Sequence, residues 1–139
     1  VLARYLRPGD IICLSGQLGS GKTVLAKGIA AGLGIDKDSV ISPTFVIIRE
    51  YPGRLPLYHF DLYRLEALGD IAGLGYEDYL YGRGVSVVEW SERLGALMPG
   101  DYLRIELRIA GVSQRDLHFT AKGKRAKEIV RNVHERIGD

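Results

Sequence analysis

A single cysteine in 139 residues cannot build a disulfide framework or a cluster of thiolate ligands, which excludes a disulfide-stapled secreted scaffold and a cysteine-based metal cluster. That residue, Cys13, sits inside an apolar run, and a reducing cytoplasm is the expected setting. No apolar stretch approaches the roughly 20 residues of a membrane span, and no basic head followed by an apolar body opens the chain as in a signal peptide. Charge of one sign is also scarce. With 19 Lys and Arg against 17 Asp and Glu, the net +2 is too small to advertise nucleic-acid binding by itself. The composition, 46% hydrophobic and 26% charged, is that of an ordinary globular chain, and the length suits one domain over residues 1–139. Because the chain opens on Val1 and not on methionine, native residues ahead of it are expected.

Hydrophobic periodicity divides the chain into alternating elements. Ile11 to Leu14 reads as a buried strand that runs through Ser15 into a glycine-rich loop, Gly16 to Gly21. Val24, Leu25, Gly28, Ile29 and Leu33 then recur at helical spacing, with Gly32 and Gly34 marking the helix end. Phe45–Tyr51 and Leu55–Phe60 are strand-like runs joined by Pro52, Gly53 and Arg54, which predicts an antiparallel hairpin. Leu62–Leu80 suggests two short helices, and Val85–Val88 a buried strand ending at Glu89. Leu103, Ile105, Leu107 and Ile109 alternate with charged residues, and Leu117 and Phe119 continue the alternation after Gly111, a second hairpin. Ala126, Ile129, Val130, Val133 and Ile137 mark one face of a closing helix. The expected fold is a single α/β domain with a mixed parallel and antiparallel sheet flanked by helices.

Gly16-Gln17-Leu18-Gly19-Ser20-Gly21-Lys22-Thr23 fits G-x-x-x-x-G-K-[ST], the phosphate loop. Backbone amides surround the phosphates, the lysine neutralises them and the hydroxyl coordinates magnesium. Side chains at Gly16, Gly19 and Gly21 would obstruct both the backbone angles and the approach of an anion. The preceding strand and following helix supply the context that separates this motif from a chance glycine-rich turn. ATP and magnesium are therefore the expected ligands.

Hydrolysis requires an acid near magnesium and a group that orients water. Asp61 and Glu89 both close strands, where ligands of open α/β sheets bind, although either could be an exposed acid capping a loop. Thr44, in Ser42-Pro43-Thr44, falls where switch segments of nucleotide hydrolases lie; a Ser-Pro turn is the bland alternative. His59 reads first as a packed or hydrogen-bonded strand residue and second as a base. Trp90, the single tryptophan, reads as a core or interface anchor. Lys122, Lys124, Arg125, Lys127 and Arg131 form a basic strip, with a solvated helix face weighed against nucleic-acid contact.

Taken together, Gly19-Ser20-Gly21-Lys22-Thr23, Ser42-Pro43-Thr44-Phe45, His59-Phe60-Asp61-Leu62-Tyr63-Arg64, Gly75-Tyr76-Glu77-Asp78-Tyr79-Leu80 and Glu89-Trp90-Ser91-Glu92 resemble the TsaE family over about Pro8 to Ile109. The resemblance implies a bacterial ATPase that acts with TsaB and TsaD in making threonylcarbamoyladenosine on tRNA. It further implies that Lys22 and Thr23 serve phosphate and magnesium, that Thr44 lies in a switch segment, that Asp61 and Glu89 are the acids of hydrolysis and metal binding, and that Trp90 joins the nucleotide site. The family segment that helps hold the base is shortened here, and Ser20 stands where alanine is usual. Direct tRNA contact within the complex stays open. A small-molecule kinase and a nucleotide-dependent binding module are the competing readings; no N-K-x-D segment favours guanine.

Overall fold

The computed structural model describes residues 2–16, 21–36, 40, 48–62 and 75–137. After a 3-10 turn at Leu2–Tyr5 come β1 (Ile11–Gly16), α1 (Lys22–Gly32), β2 (Ile48–Tyr51), β3 (Leu57–Asp61), α2 (Tyr76–Leu80) and β4 (Val85–Glu89). A kinked 3-10 segment at Ser91–Leu97, β5 (Tyr102–Ile109), β6 (Arg115–Lys122) and α3 (Lys124–Ile137) complete the order. The strands form one six-stranded sheet in the order β2-β3-β4-β1-β5-β6. Its four inner strands are parallel, and β2 and β6 are antiparallel edges, so the expected mixed sheet is present.

β1 is central because its sequence suits burial on both faces: Ile11, Ile12, Cys13 and Leu14 are all buried. Fully burying each Ile or Leu side chain stabilises by roughly 1.5–3 kcal/mol. One face, through Ile12, Leu14, Leu57, Val87 and Ile105, packs with Ala26, Ile29 and Ala30 of α1 and Ala126, Ile129 and Val133 of α3. The other, through Cys13, Tyr58, Phe60 and Val88, packs with Tyr76 and Leu80 of α2 and Leu94. The two faces follow from the period-2 alternation of each strand.

The first hairpin has a longer connection than the sequence suggests. Register pairs Tyr51 with Leu57, so five residues intervene, while residues 45–47 of the expected strand lie outside the described residues. The expected face of α1 is met in part. Ile29 and Leu33 are buried and Leu25 packs against the core, whereas Val24 is 73% exposed and Ala26 and Ala30 are buried beside them. Close packing explains the preference for small residues there: a Cβ on Gly32 would stand 2.4 Å from the Cβ of Ala3.

A charged clamp closes the rim of the sheet at which β1 begins. Arg125 donates through Nε to Asp10 Oδ1 at 3.0 Å and through a terminal nitrogen to Asp10 Oδ2 at 2.9 Å, and also reaches the Tyr5 carbonyl and Glu128. Asp10 first, with lesser help from Glu128 and Asp101 and against the effect of burial, holds the guanidinium in its charged form more firmly than usual. Of the expected basic strip, Arg125 is thus an internal tie, while Lys122, Lys124, Lys127 and Arg131 are exposed. Asp101 accepts from the backbone N–H groups of Arg125 and Ala126 at 3.0 and 2.9 Å and so caps α3 from a distant loop.

Two outcomes follow from this packing. Gly123 has φ +93 and would place a Cβ 2.5 Å from Asp101 Cγ, so Gly123→Ala disrupts both backbone and cap. A loss of roughly 1–3 kcal/mol is expected in urea denaturation; an unchanged midpoint contradicts the geometry. Burial pushes the Cys13 thiol from 9.0 up to about 11, against a smaller opposing effect of a hydrogen bond with Ser91. A raised folded-state pKa means its contribution is complete below the unfolded pKa and is lost as pH climbs towards 11. Comparison of native protein with Cys13→Val should show an extra loss of roughly 3 kcal/mol in the native protein between about pH 9 and 11; parallel stability curves would contradict it.

Candidate functional site

Parallel pairing brings the ends of β1, β3 and β4 to one rim. Leu14 is in register with Glu89, and Glu89 with Asp61, so both strand-terminal acids sit beside the exit of β1. The chain leaves β1 at Gly16, φ 150, and enters α1 from Gly21, φ 104, both backbone conformations that favour glycine. Lys22 and Thr23 are the first two residues of α1. No side chain caps this helix start: Gly21 offers none, and the Leu25 N–H already bonds the Gly21 carbonyl at 3.0 Å. The first N–H groups of α1 and the positive end of the helix macrodipole suit an anion.

Register partners in a sheet project to the same face, so Asp61 and Glu89 share the α1-facing side with Leu14, Leu57 and Val87. Glu89 is 6% exposed, and its Oε2 lies 2.7 Å from Nε2 of His59, a residue with no exposed surface. An ionised carboxylate only accepts, so Nε2–H is the donor. Trp90 follows Glu89 with φ 60 and ψ 42, the one non-glycine in the left-handed region among the described residues. Such a conformation costs about 1–3 kcal/mol. The Lys22 ammonium stands 5.4 Å from the centroid of the Trp90 ring, a cation–π arrangement. The loop side and the acid side of the rim are therefore in direct contact.

Of the residues singled out in the sequence, Gly16, Gly21, Lys22, Thr23, Asp61, Glu89 and Trp90 gather at this rim. Gln17, Leu18, Gly19, Ser20 and Thr44 lie outside the described residues. The partnership of His59 with Glu89 was missed because thirty positions separate them and only the β3–β4 register joins them. A cleft of ≈ 420 Å³ was missed too. It adjoins Gly21 and runs along Val24, Leu25 and Gly28 of α1 to Leu107 and Arg115. Its one sequence signal is apolar residues on the outward side of α1. Another cleft, ≈ 250 Å³ around Asp10, Asp101 and Arg125, belongs to the clamp at the other rim, where the Arg125 guanidinium bonds Asp10 and Asp101 accepts from backbone N–H groups of α3.

The donor chemistry fits magnesium. Thr23, Asp61 and Glu89 offer hard oxygen atoms, and no cluster of three or more His, Cys, Asp or Glu ligands exists among the described residues. Mg²⁺ takes few protein ligands and fills its shell with water and phosphate, which suits a sparse set beside a phosphate loop better than a zinc or calcium cage.

A buried parallel sheet, a glycine-bounded turn into a helix beginning Lys-Thr, and acids on adjacent strand ends define a P-loop-type α/β protein. The chain belongs to the TsaE family: the profile of the threonylcarbamoyl adenosine biosynthesis protein TsaE matches residues 1–117. It is similar to the tRNA threonylcarbamoyladenosine biosynthesis protein TsaE of Bacillus subtilis strain 168, with 42% identity over 140 residues, 99% of this chain and 87% of the relative. The protein of the same name from Treponema pallidum strain Nichols is 42% identical over 117 residues, 84% of this chain and 86% of the relative. The crystal structure of YdiB from the same Bacillus species superposes with a TM-score of 0.80 at 38% identity, covering 97% of this chain and 83% of that one. No helix among the described residues is long and apolar enough to cross a membrane.

The contact between Lys22 and Trp90 is directly measurable, because Trp90 is the single tryptophan. Lys22→Met removes the ammonium from the indole face, and the intrinsic emission is expected to change in maximum or yield, whereas Lys27→Met serves as a control within the same helix. Superimposable spectra for native protein and Lys22→Met would show that the contact does not persist in solution.

Proposed function

We propose that this chain is a magnesium-dependent ATP hydrolase that supports formation of threonylcarbamoyladenosine on tRNA, acting in the cytoplasm together with TsaB and TsaD. The observation that carries the reading is the meeting of Lys22, Glu89 and Asp61 at one rim, with Trp90 between loop and acids. Family membership supplies the pathway, since the similar proteins are named for it.

In this reading the amides of the loop and the Lys22 ammonium offset the charge of the triphosphate, and Thr23 and the strand-terminal carboxylates hold the magnesium ion. The metal, when bound, neutralises charge developing on the transferred phosphoryl group. Asp61 and Glu89 divide between them the tasks of anchoring that ion and orienting the attacking water. Phosphoryl transfer needs little covalent help from a protein, and this set supplies what it does need, position and charge. The cleft along Val24, Leu25 and Gly28 offers the nucleoside end an apolar surface continuous with Gly21.

Phosphate release from Mg²⁺-ATP, measured with TsaB and TsaD present, tests the reading. Lys22→Ala, Asp61→Ala and Glu89→Ala are each expected to lower turnover about 100-fold or more, and chelation of magnesium to abolish it. Full turnover in Asp61→Ala and Glu89→Ala overturns the assignment. Support of tRNA modification by a Glu89→Gln protein that binds ATP without hydrolysing it would establish the binding-module alternative.

A further inference from the structure

The layer of side chains between the sheet and α1 is apolar along most of its length and polar at one level. Leu57 of β3 pairs with Val85 of β4, His59 with Val87, and Asp61 with Glu89. Leu57, Val85 and Val87 are fully buried, and so is His59, whose Nε2 reaches forward to Glu89 at the strand end. Removing an imidazole and a carboxylate from water is costly, and well-packed apolar residues at such places are commonly as stable or more so. Fold stability therefore gives no reason for a histidine here.

What the histidine does supply is direction. A glutamate side chain that ends a strand has three rotatable bonds, and confining it costs entropy. The hydrogen bond from His59 occupies Oε2 and confines the carboxylate to one orientation, with no other partner of the carboxylate among the described residues. The ring has no other polar engagement among the described residues: Nδ1 is buried without a hydrogen-bond partner. Its donor comes from β3, the strand that also carries Asp61 two residues later and on the same face. One rigid strand thereby sets Asp61 by its own backbone and Glu89 through His59.

We propose that His59 is a positioning residue for the hydrolytic reaction, holding the Glu89 carboxylate in its working orientation and taking no proton from substrate itself. A buried ring whose Nε2–H is committed to Glu89 has no route to the attacking water. The proposal rests on the reading of Glu89 as an acid of hydrolysis, and the test separates the two.

The variants are His59→Gln, which keeps an amide donor near the Nε2 position, His59→Asn, whose donor falls near Nδ1, and His59→Leu, which has none. Each is prepared alone, His59→Leu also in a Glu89→Gln background, and all are assayed for Mg²⁺-ATP hydrolysis with TsaB and TsaD. Calorimetric affinity for Mg²⁺-ATP and the thermal midpoint are measured alongside. The Asn and Leu variants are expected to lose about 10–100-fold in kcat, with KM and ATP affinity close to native, while Gln recovers most of the rate. In the Glu89→Gln background, His59→Leu should add no further loss, because both changes remove the same oriented carboxylate.

Native kcat in His59→Leu overturns the proposal while leaving the assignment of Glu89 intact. So do equal losses in Gln, Asn and Leu that track the thermal midpoint, which mark a structural role, and an additive loss in the Glu89→Gln background, which marks an independent one. Native hydrolysis by Glu89→Gln overturns instead the reading on which the proposal rests. If His59→Leu does not fold, the contrast between Gln and Asn decides.

Discussion

The arrangement of the molecule depends on β1 being hemmed in on four sides. β4 and β5 bond its two edges, α1 and α3 cover one face, and the layer containing Tyr58, Phe60 and Leu94 covers the other. A strand so placed cannot turn until it emerges, and it emerges at Gly16, from which the chain returns as α1 at Gly21. Because β3 and β4 run parallel to it and in close register, their last residues emerge at the same height. The meeting of a lysine and two carboxylates is thus a consequence of strand direction. Antiparallel pairing of β4 with β1 would have sent Glu89 to the opposite rim.

The two rims use charge in opposite ways. At the starting rim, Asp10 and Arg125 engage one another through two hydrogen bonds, with the Tyr5 carbonyl and Glu128 completing the guanidinium's partners. Such a closed set ties the first turn, β1 and α3 together and presents little unsatisfied charge. At the finishing rim, Glu89 is almost as buried as Asp10, yet among the described residues the bond to its side chain comes from a single ring and reaches one oxygen.

Much of this was legible in the chain. The alternation Leu103, Ile105, Leu107 became the buried side of β5, and the apolar run closed by Glu89 became β4. The glycines on either side of the expected loop mark the end of β1 at Gly16 and the entry to α1 at Gly21. Other features were hidden for identifiable reasons. Hydrophobicity ranks Val24 above Ala26 and Ala30, yet Val24 faces outward while both alanines are buried beside Ile29, and at Gly32 the helix comes too close to Ala3 for a side chain. Leu117 continues an alternating pattern but stands on the edge strand β6, where it remains 45% exposed. The link between His59 and Glu89 is invisible without the β3–β4 register, since no local periodicity connects residues on different strands.

Trp90 shows how these layers of cause combine. The chain must turn sharply after Glu89, and the left-handed conformation it takes there would suit glycine better than any large residue. A strained position persists only where its surroundings overdetermine it. Before it, Glu89 is held by the β-ladder and by His59; after it, buried Ser91 hydrogen-bonds Cys13 of β1, and the Arg93 N–H closes a turn on the Trp90 carbonyl at 3.0 Å. Between those two anchors the backbone has no freedom to relax, and the indole is directed to Lys22. Glycine would relieve the strain and lose the ring. The unfavourable backbone is therefore the cost of setting an aromatic face between the residue that begins α1 and the residue that ends β4.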